Sequence, residues 1–307
     1  MTTQNLRTEI IGFDSGWGCD DYGCEDGPSA VAAEEVLHAL AARGIQAKWR
    51  GSLGLKHLGD RALHTAKEQT LPILLECLRR LGSHVRQAIE NNQIPIVIGG
   101  DHSSAIGTWS GAVSATQSHG KFGLIWLDAH MDSHTYATSS EGKWGGWWHG
   151  QPIPSLLGRG LPVLRAICDG SVKLAPEHIS LIGMHSFEPA EVAFAKKYGI
   201  RVYFLEEVEA RGFRAVFAEA LERATTGTKG FGLSVDLDCF HVDDAPGVGT
   251  AENAGLRAAE VLPIIRGIAL HPAFRALEIA EFNPHNDQNE KTRKLLELLI
   301  ATAFTKD

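Results

Sequence analysis

The stretch "FGLIWLDAHMDSHT", residues 122–135, decides the fold. Its first half is almost continuously apolar, with none of the in-out alternation of a half-exposed strand. A short apolar run of this kind fits a strand buried on both faces, as in a parallel sheet covered by helices. The run ends in Asp128, His130 and Asp132, spaced by two. Side chains at i, i+2 and i+4 of a strand share one face, so two carboxylates and an imidazole converge at its end. Such a group is unfavourable unless a positive charge lies between its members.

Seven further short β-rich runs recur along the chain, most of them mainly apolar: "EIIGF" (9–13), "IQAKWR" (45–50), "IPIVIG" (94–99), "ISLIG" (179–183), "RVYFL" (201–205), "GFGLSVD" (230–236) and "FRALEIAEF" (274–282). Helical periodicity fills the gaps at about 29–43, 71–92, 103–118, 188–198, 206–224, 257–270 and 287–304, with Ser29 and Thr70 as N-caps and Pro28 and Pro72 beside helix starts. Strands alternating with helices predict an α/β fold with an eight-stranded parallel sheet covered on both faces. No repeat or Ser/Gly-rich linker divides the chain, so 1–307 reads as a single domain. Two long loops, 14–28 and 131–150, are rich in Gly, Trp, Asp and Ser, as functional loops in compact domains are.

The net charge is −8 and there is no Lys/Arg block, which argues against nucleic acid and anionic membrane partners. No apolar run reaches the ~20 residues of a membrane-spanning helix, and the N-terminus has no signal-peptide core. Five cysteines, an odd number without a CxxC pair, fit a reduced cytoplasmic setting. Cys19 and Cys24 share one loop and read as ordinary thiols rather than metal ligands.

Ligands of open parallel sheets bind beyond the carboxyl ends of the strands. There the sequence places His102 after 94–99, Asp128, His130 and Asp132 after 122–127, Asp236 and Asp238 after 230–235, and Glu281 near the end of the last run. A lone histidine after a strand is commonly a core residue, and Asp-x-Asp is commonly a turn or cap. The convergence of four aspartates and two histidines on one rim outweighs those readings. The four aspartates carry −4, which two divalent cations balance with His102 and His130 as neutral donors. Mixed carboxylate and imidazole donors suit Mn²⁺, whereas Zn²⁺ prefers fewer, softer ligands. A pair of metals about 3.5 Å apart makes a bridging hydroxide available near neutral pH.

These motifs resemble those of the ureohydrolases, the family of arginases, agmatinases and formiminoglutamases. "GGDHS" (99–103), "DAHMD" (128–132) and "SVDLDCF" (234–240) match its three signatures in order and internal spacing. "GCEDGP" (23–28), "PGVGTAENAGL" (246–256) and "EFNP" (281–284) match its N-terminal loop, its substrate-side loop and its C-terminal element. The resemblance implies a three-layer α/β/α domain with two Mn²⁺ bound by His102, Asp128, His130, Asp132, Asp236 and Asp238. It implies Glu281 as the residue that holds a small cationic guanidino substrate, Thr250 beside it, and Asp128 as acceptor of the nucleophile's remaining proton. "HGQP" (149–152) resembles an arginase element, which makes His149 the proton shuttle. The family also implies a homo-oligomer, trimeric or hexameric.

Two segments depart from the arginase pattern. The loop "SHTYATSSEGKWGGWWHGQP" (133–152) is longer, with His134 in place of the expected Asn, and Ser139 and Ser140 as its carboxylate-binding candidates. Trp144, Trp147 and Trp148 form either a wall over the substrate or a contact with a neighbouring subunit. In "GMHSFEPAEV" (183–192), Glu188 and Glu191 take the acidic positions that read an amino group. L-Arginine is the expected substrate. The alternatives are the same chemistry on agmatine, a guanidino acid or formiminoglutamate, or a catalytically silent scaffold or sensor.

Overall fold

The computed structural model describes residues 6–63, 66–116, 120–139 and 146–306. The eight β-rich runs become strands β1 (Arg7–Gly12), β2 (Gln46–Ser52), β3 (Ile94–Ile98), β4 (Lys121–Leu127), β5 (Ile179–Met184), β6 (Arg201–Phe204), β7 (Thr228–Asp236) and β8 (Phe274–Ala280). They pair side by side in the order β2-β1-β3-β8-β7-β4-β5-β6. Every pairing is parallel. The central strands are largely apolar because both of their faces are covered: Ile10, Ile98, Leu127, Leu233 and Ile279 join one buried cluster, and Ile11, Val97, Trp126, Leu181 and Ala276 the other.

The helices are α1 (Gly27–Ala30), α2 (Ala33–Ala41), α3 (Lys67–Glu90), α4 (Ser104–Thr116), α5 (Pro152–Leu156), α6 (Pro162–Arg165), α7 (Pro189–Tyr198), α8 (Leu205–Arg211), α9 (Phe213–Thr225), α10 (Ala258–Ile265) and α11 (Lys291–Ala303). Residues of α2, α9, α10 and α11 cover the first face, and those of α3, α4, α5 and α7 the second, giving three layers.

The helix ends differ from expectation for identifiable reasons. Ser29 lies inside α1 and caps nothing, since Val31 turns extended and splits α1 from α2. Thr70 is also internal: α3 starts at Lys67, where Gln69 accepts the Ala66 N–H at 3.1 Å, and the Thr70 hydroxyl bonds back to the Lys67 carbonyl at 2.8 Å. Gly212, at φ 81°, breaks the run 206–224 into α8 and α9. Gly267, at φ 71°, ends the run 257–270 early. The final helix begins at Lys291, after a single 3₁₀ turn whose Asn289 has φ 59°. The last two positions predicted for 103–118 lie outside the described residues.

Four adjacent strands, β3, β8, β7 and β4, form the middle of the sheet. Their carboxyl ends deliver His102, Glu281, Asp236 and Asp128 to one rim. Strand order jumps here, since β3 and β4 follow one another in sequence but lie three places apart in the sheet, with β8 and β7 between them. A cleft forms beyond the strand ends at such a point.

Candidate active site

His102 sits in the turn between β3 and α4. Asp101 holds that turn by accepting the Gly18 N–H at 2.9 Å and the Ser103 N–H at 3.0 Å. Nε2 of His102 lies 3.1 Å from Ser234 Oγ, and that hydroxyl donates to Glu278 at 2.8 Å. Ser104 and Thr108 donate to the other oxygen of Glu278 at 2.9 and 2.7 Å. A hydroxyl has one proton to give, and Ser234 gives it to Glu278. Ser234 therefore accepts from His102, so Nε2 carries a proton, and in the neutral ring Nδ1 is the atom with the lone pair.

That lone pair faces only acceptors. Nδ1 lies 2.9 Å from Asp236, 3.2 Å from Asp128 and 3.2 Å from Asp132. Neither Nδ1 of His102 nor Oδ2 of Asp132, both buried, makes a hydrogen bond of acceptable geometry. Asp132 reaches this position from a left-handed backbone at φ 44°. On the other side, His130 Nδ1 lies 3.0 Å from Asp238 and 3.6 Å from Asp128. Two ligand sets result, His102–Asp128–Asp236 and Asp128–His130–Asp238, each with its donor atoms within 4.8 Å of one another. Asp128 belongs to both.

The protonation preferences record the crowding. Burial, followed by the Asp128 charge, pushes Asp132 up to about 7. Burial, then Asp238 and Asp128, lifts Asp236 well above the carboxylate range. Burial opposes a charge on His102, yet the surrounding aspartates hold its value well above that of an ordinary histidine. Carboxylates crowded around two imidazoles that they drive to take up positive charge, with Asp132 and Asp236 forced towards their neutral form, describe a cradle suited to divalent cations, so the donor set fits a two-metal centre.

Further out, Glu281 is buried with its backbone at φ 64°. Its Oε1 accepts the His102 backbone N–H at 2.8 Å and lies 3.5 Å from His149 Nδ1. Burial disfavours a charged His149, but Cys19 and Glu281 outweigh it and hold the ring well above the value near neutrality that shuttling requires. Divalent cations nearby would bring it back down. The same cleft is lined by Thr250, His134, Ser139, Glu188 and Glu191, with Trp147 and Phe187 as apolar walls. His134 Nε2 lies 3.1 Å from Glu188 and 3.5 Å from Glu191. Ser139 receives a hydrogen bond from Lys67 at 3.2 Å.

The tryptophans divide. Trp147 lines the cleft. Trp148 is fully buried and donates to the Lys67 carbonyl at 2.8 Å and to Thr70 at 3.1 Å, so it anchors the loop on α3 and forms neither a substrate wall nor a subunit contact. Ser140 and Trp144 lie outside the described residues.

A profile of the arginase family matches residues 7–305. The chain belongs to the arginase family. It is 33% identical over 304 residues to an arginase of Bacillus caldovelox, covering 96% of this chain and 97% of that one. The crystal structure of an arginase from Bacillus cereus superposes with a TM-score of 0.87 at 28% identity, covering 98% of this chain and 99% of that chain. An arginase structure from Bacillus subtilis gives 0.85 at 29% identity, with 98% and 99% covered. Membership makes this chain a metal-dependent hydrolase of amidine C–N bonds with a small guanidino substrate. Among the described residues, no helix is long and apolar enough to cross a membrane.

Sequence reasoning passed over most of the residues behind the candidate ligands. Ser234 was detectable, because it precedes Asp236 by two and shares its face. Trp126 precedes Asp128 in the same way. Asp101 was legible within "GGDHS" as a turn-former through the Ser103 N–H, but its bond to Gly18 was not, and Glu278 carried no signal, since its partners come from elements distant in sequence.

Proposed function

We propose that the protein is a single-domain, two-manganese arginase that hydrolyses L-arginine to L-ornithine and urea. The observation that carries this reading is Asp128, shared by two sets of three candidate ligands, of which His102, His130, Asp236 and Asp238 line the same cleft as the buried Glu281. His102, Asp128 and Asp236 would hold one Mn²⁺ with Asp132 beside them, and Asp128, His130 and Asp238 the other. When bound, the pair would supply Lewis acidity and an activated water at neutral pH.

The side chains of the chain supply the rest. Glu281 binds the guanidinium by charge-assisted hydrogen bonds and turns its central carbon towards the metal rim. Asp128 accepts the remaining proton of the nucleophile. His149, adjacent to Glu281, delivers a proton to the departing amine, which leaves as ornithine while urea remains. Glu188 and Glu191 receive the α-ammonium group with His134 between them. Ser139, and Ser140 in the same loop, take the carboxylate, and Thr250 flanks Glu281.

A second reading, a guanidino amine such as agmatine, is favoured by the two carboxylates and apolar walls at the outer end of the cleft. The five free thiols agree with a reducing cytoplasm. A trimer or hexamer follows from the family resemblance, and light scattering reads it.

The test is urea release from L-arginine, agmatine and 4-guanidinobutyrate after Mn²⁺ loading, with bound metal counted on the same sample. Turnover of arginine above the others with about two ions per chain supports the proposal. Two bound ions with no urea from arginine refute the substrate, and fewer than about one ion per chain refutes the centre.

A further inference from the structure

We propose that Cys24 is a positioning residue for Glu281, its thiol proton holding Oε2 so that the remaining lone pairs of the carboxylate face the guanidinium group. The inference rests on the guanidinium-binding role of Glu281 given above.

Cys24 Sγ lies 3.1 Å from Glu281 Oε2, and both residues are buried. The other oxygen, Oε1, already accepts the His102 N–H at 2.8 Å. The two donors approach opposite oxygens and fix the carboxylate plane. An ionised carboxylate has about four lone-pair sites, and two directed donors leave the others for a forked guanidinium.

The loop that carries Cys24 is built to hold it there. A Cβ on Gly23 would lie 2.3 Å from Asn283 Nδ2, and one on Gly27 would lie 2.4 Å from the Phe282 carbonyl. Only glycine permits this approach, so the loop is pressed at both ends onto the two residues that follow Glu281. From the third side, a Cβ on Gly249 would lie 2.7 Å from Glu281 Oε2 and 3.1 Å from Cys24 Sγ. Gly249 thus closes on the thiol–carboxylate pair from a side where a larger residue would press on both.

A thiol suits this position. It packs as a small apolar group in a buried site and still donates one weak hydrogen bond. An alkyl side chain would fill the space but leave a buried carboxylate oxygen unpaired, which is costly. Burial, reinforced by the Glu281 charge, holds the thiol well above its ordinary pKa, so its proton stays on sulfur.

The experiment compares metal-loaded wild type with Cys24→Val, which keeps the bulk, and Cys24→Ser, which keeps the donor. For Cys24→Val we expect KM for L-arginine to rise about tenfold with kcat within about threefold, and for Cys24→Ser a KM within about threefold of wild type. Infrared spectra of the S–H stretch should show one thiol band at lower frequency than the rest, absent in Cys24→Val and shifted upwards in Glu281→Gln. Unchanged KM in both variants, or equal impairment in both, overturns the proposal, as does a low-frequency band that persists in Cys24→Val or stays in place in Glu281→Gln. If wild type cleaves no guanidino compound, the proposed activity fails on its own. The infrared comparison then still decides whether Cys24 binds Glu281.

Discussion

Trp126 donates its indole N–H to Asp128 Oδ2 at 2.8 Å while its ring stacks on His102 with centroids 4.1 Å apart. One side chain, two residues upstream on the same strand face, therefore orients the shared carboxylate and one imidazole of the candidate metal centre. Outer partners of this kind are worth about 10–100-fold in metal affinity. Trp126→Phe keeps the stacking and loses the donor. We expect Mn²⁺ to bind about tenfold more weakly, measured by calorimetry on the apo protein, with little change in far-UV circular dichroism. Unaltered affinity would show that Asp128 needs no such support.

The inner strands were legible because burial on both faces leaves a direct trace, a run of apolar residues, whereas the edge strand β2, half-exposed along its length, showed only as an alternating β-rich run. Asp128, His130 and Asp132 were legible as a spaced polar cluster at a strand end, but β4 stops at Leu127 and Asp132 arrives from a left-handed backbone, so a loop and not the strand period brings them together. Helix ends were less so. Ser29 and Thr70 have the chemistry of caps, but tertiary packing starts their helices earlier, and Gly212 and Gly267 act through positive φ values that the apolar period does not reveal. The Cys24–Glu281 contact joins residues 257 apart in sequence. Only the assembled sheet brings them together.

The outer end of the cleft makes a separate prediction. Glu188 lies 3.1 Å from His134, and with Glu191 it forms the acidic end that would receive a substrate amine. Glu188→Gln should raise KM for L-arginine and agmatine by about tenfold, since each presents an amine there, and should leave 4-guanidinobutyrate almost unaffected. Steady-state kinetics on the three compounds check this. Equal losses on all three would place Glu188 in support of the loop rather than in contact with substrate.

Acid stability has a local source far from the cleft. The Lys173 side chain is 1% exposed, and its ammonium contacts the Asp169 carboxylate as well as the Asp169 carbonyl at 2.6 Å. Burial alone would raise Asp169, but hydrogen bonds from Lys173 and Ser171 outweigh it and hold the carboxyl far below its usual range. The folded value lies below the unfolded one. The pair therefore stabilises the protein fully above about pH 4 and loses its effect as pH falls through the folded value. Asp169→Asn should cost about 2 kcal/mol at pH 7, less than a fully buried pair because the carboxylate is partly exposed. The Tm gap between wild type and variant should hold from pH 7 to 5 and narrow below about pH 4. A gap independent of pH would assign the loss to packing.

Gly232 gives the most demanding test of the fold, because it sits on β7 four residues before Asp236. A Cβ there would lie 2.0 Å from Trp109 Cζ3 and 2.5 Å from its Cη2. Trp109 is fully buried on α4 and leans on Phe122, with ring centroids 6.3 Å apart, so it has nowhere to turn. Overpacking a buried site typically costs about 1–3 kcal/mol, and an approach this close puts Gly232→Ala at the upper end, near 3 kcal/mol. Trp109→Leu alone should destabilise by leaving a cavity, at a cost of similar size. The two changes compensate in volume, so the double variant should be more stable than the sum of the single effects predicts by about 2 kcal/mol, measured by urea denaturation. Additive losses would mean that α4 yields as a whole when β7 gains a methyl group. The turn holding His102 would then shift with it, and Mn²⁺ affinity of Gly232→Ala would fall along with its stability.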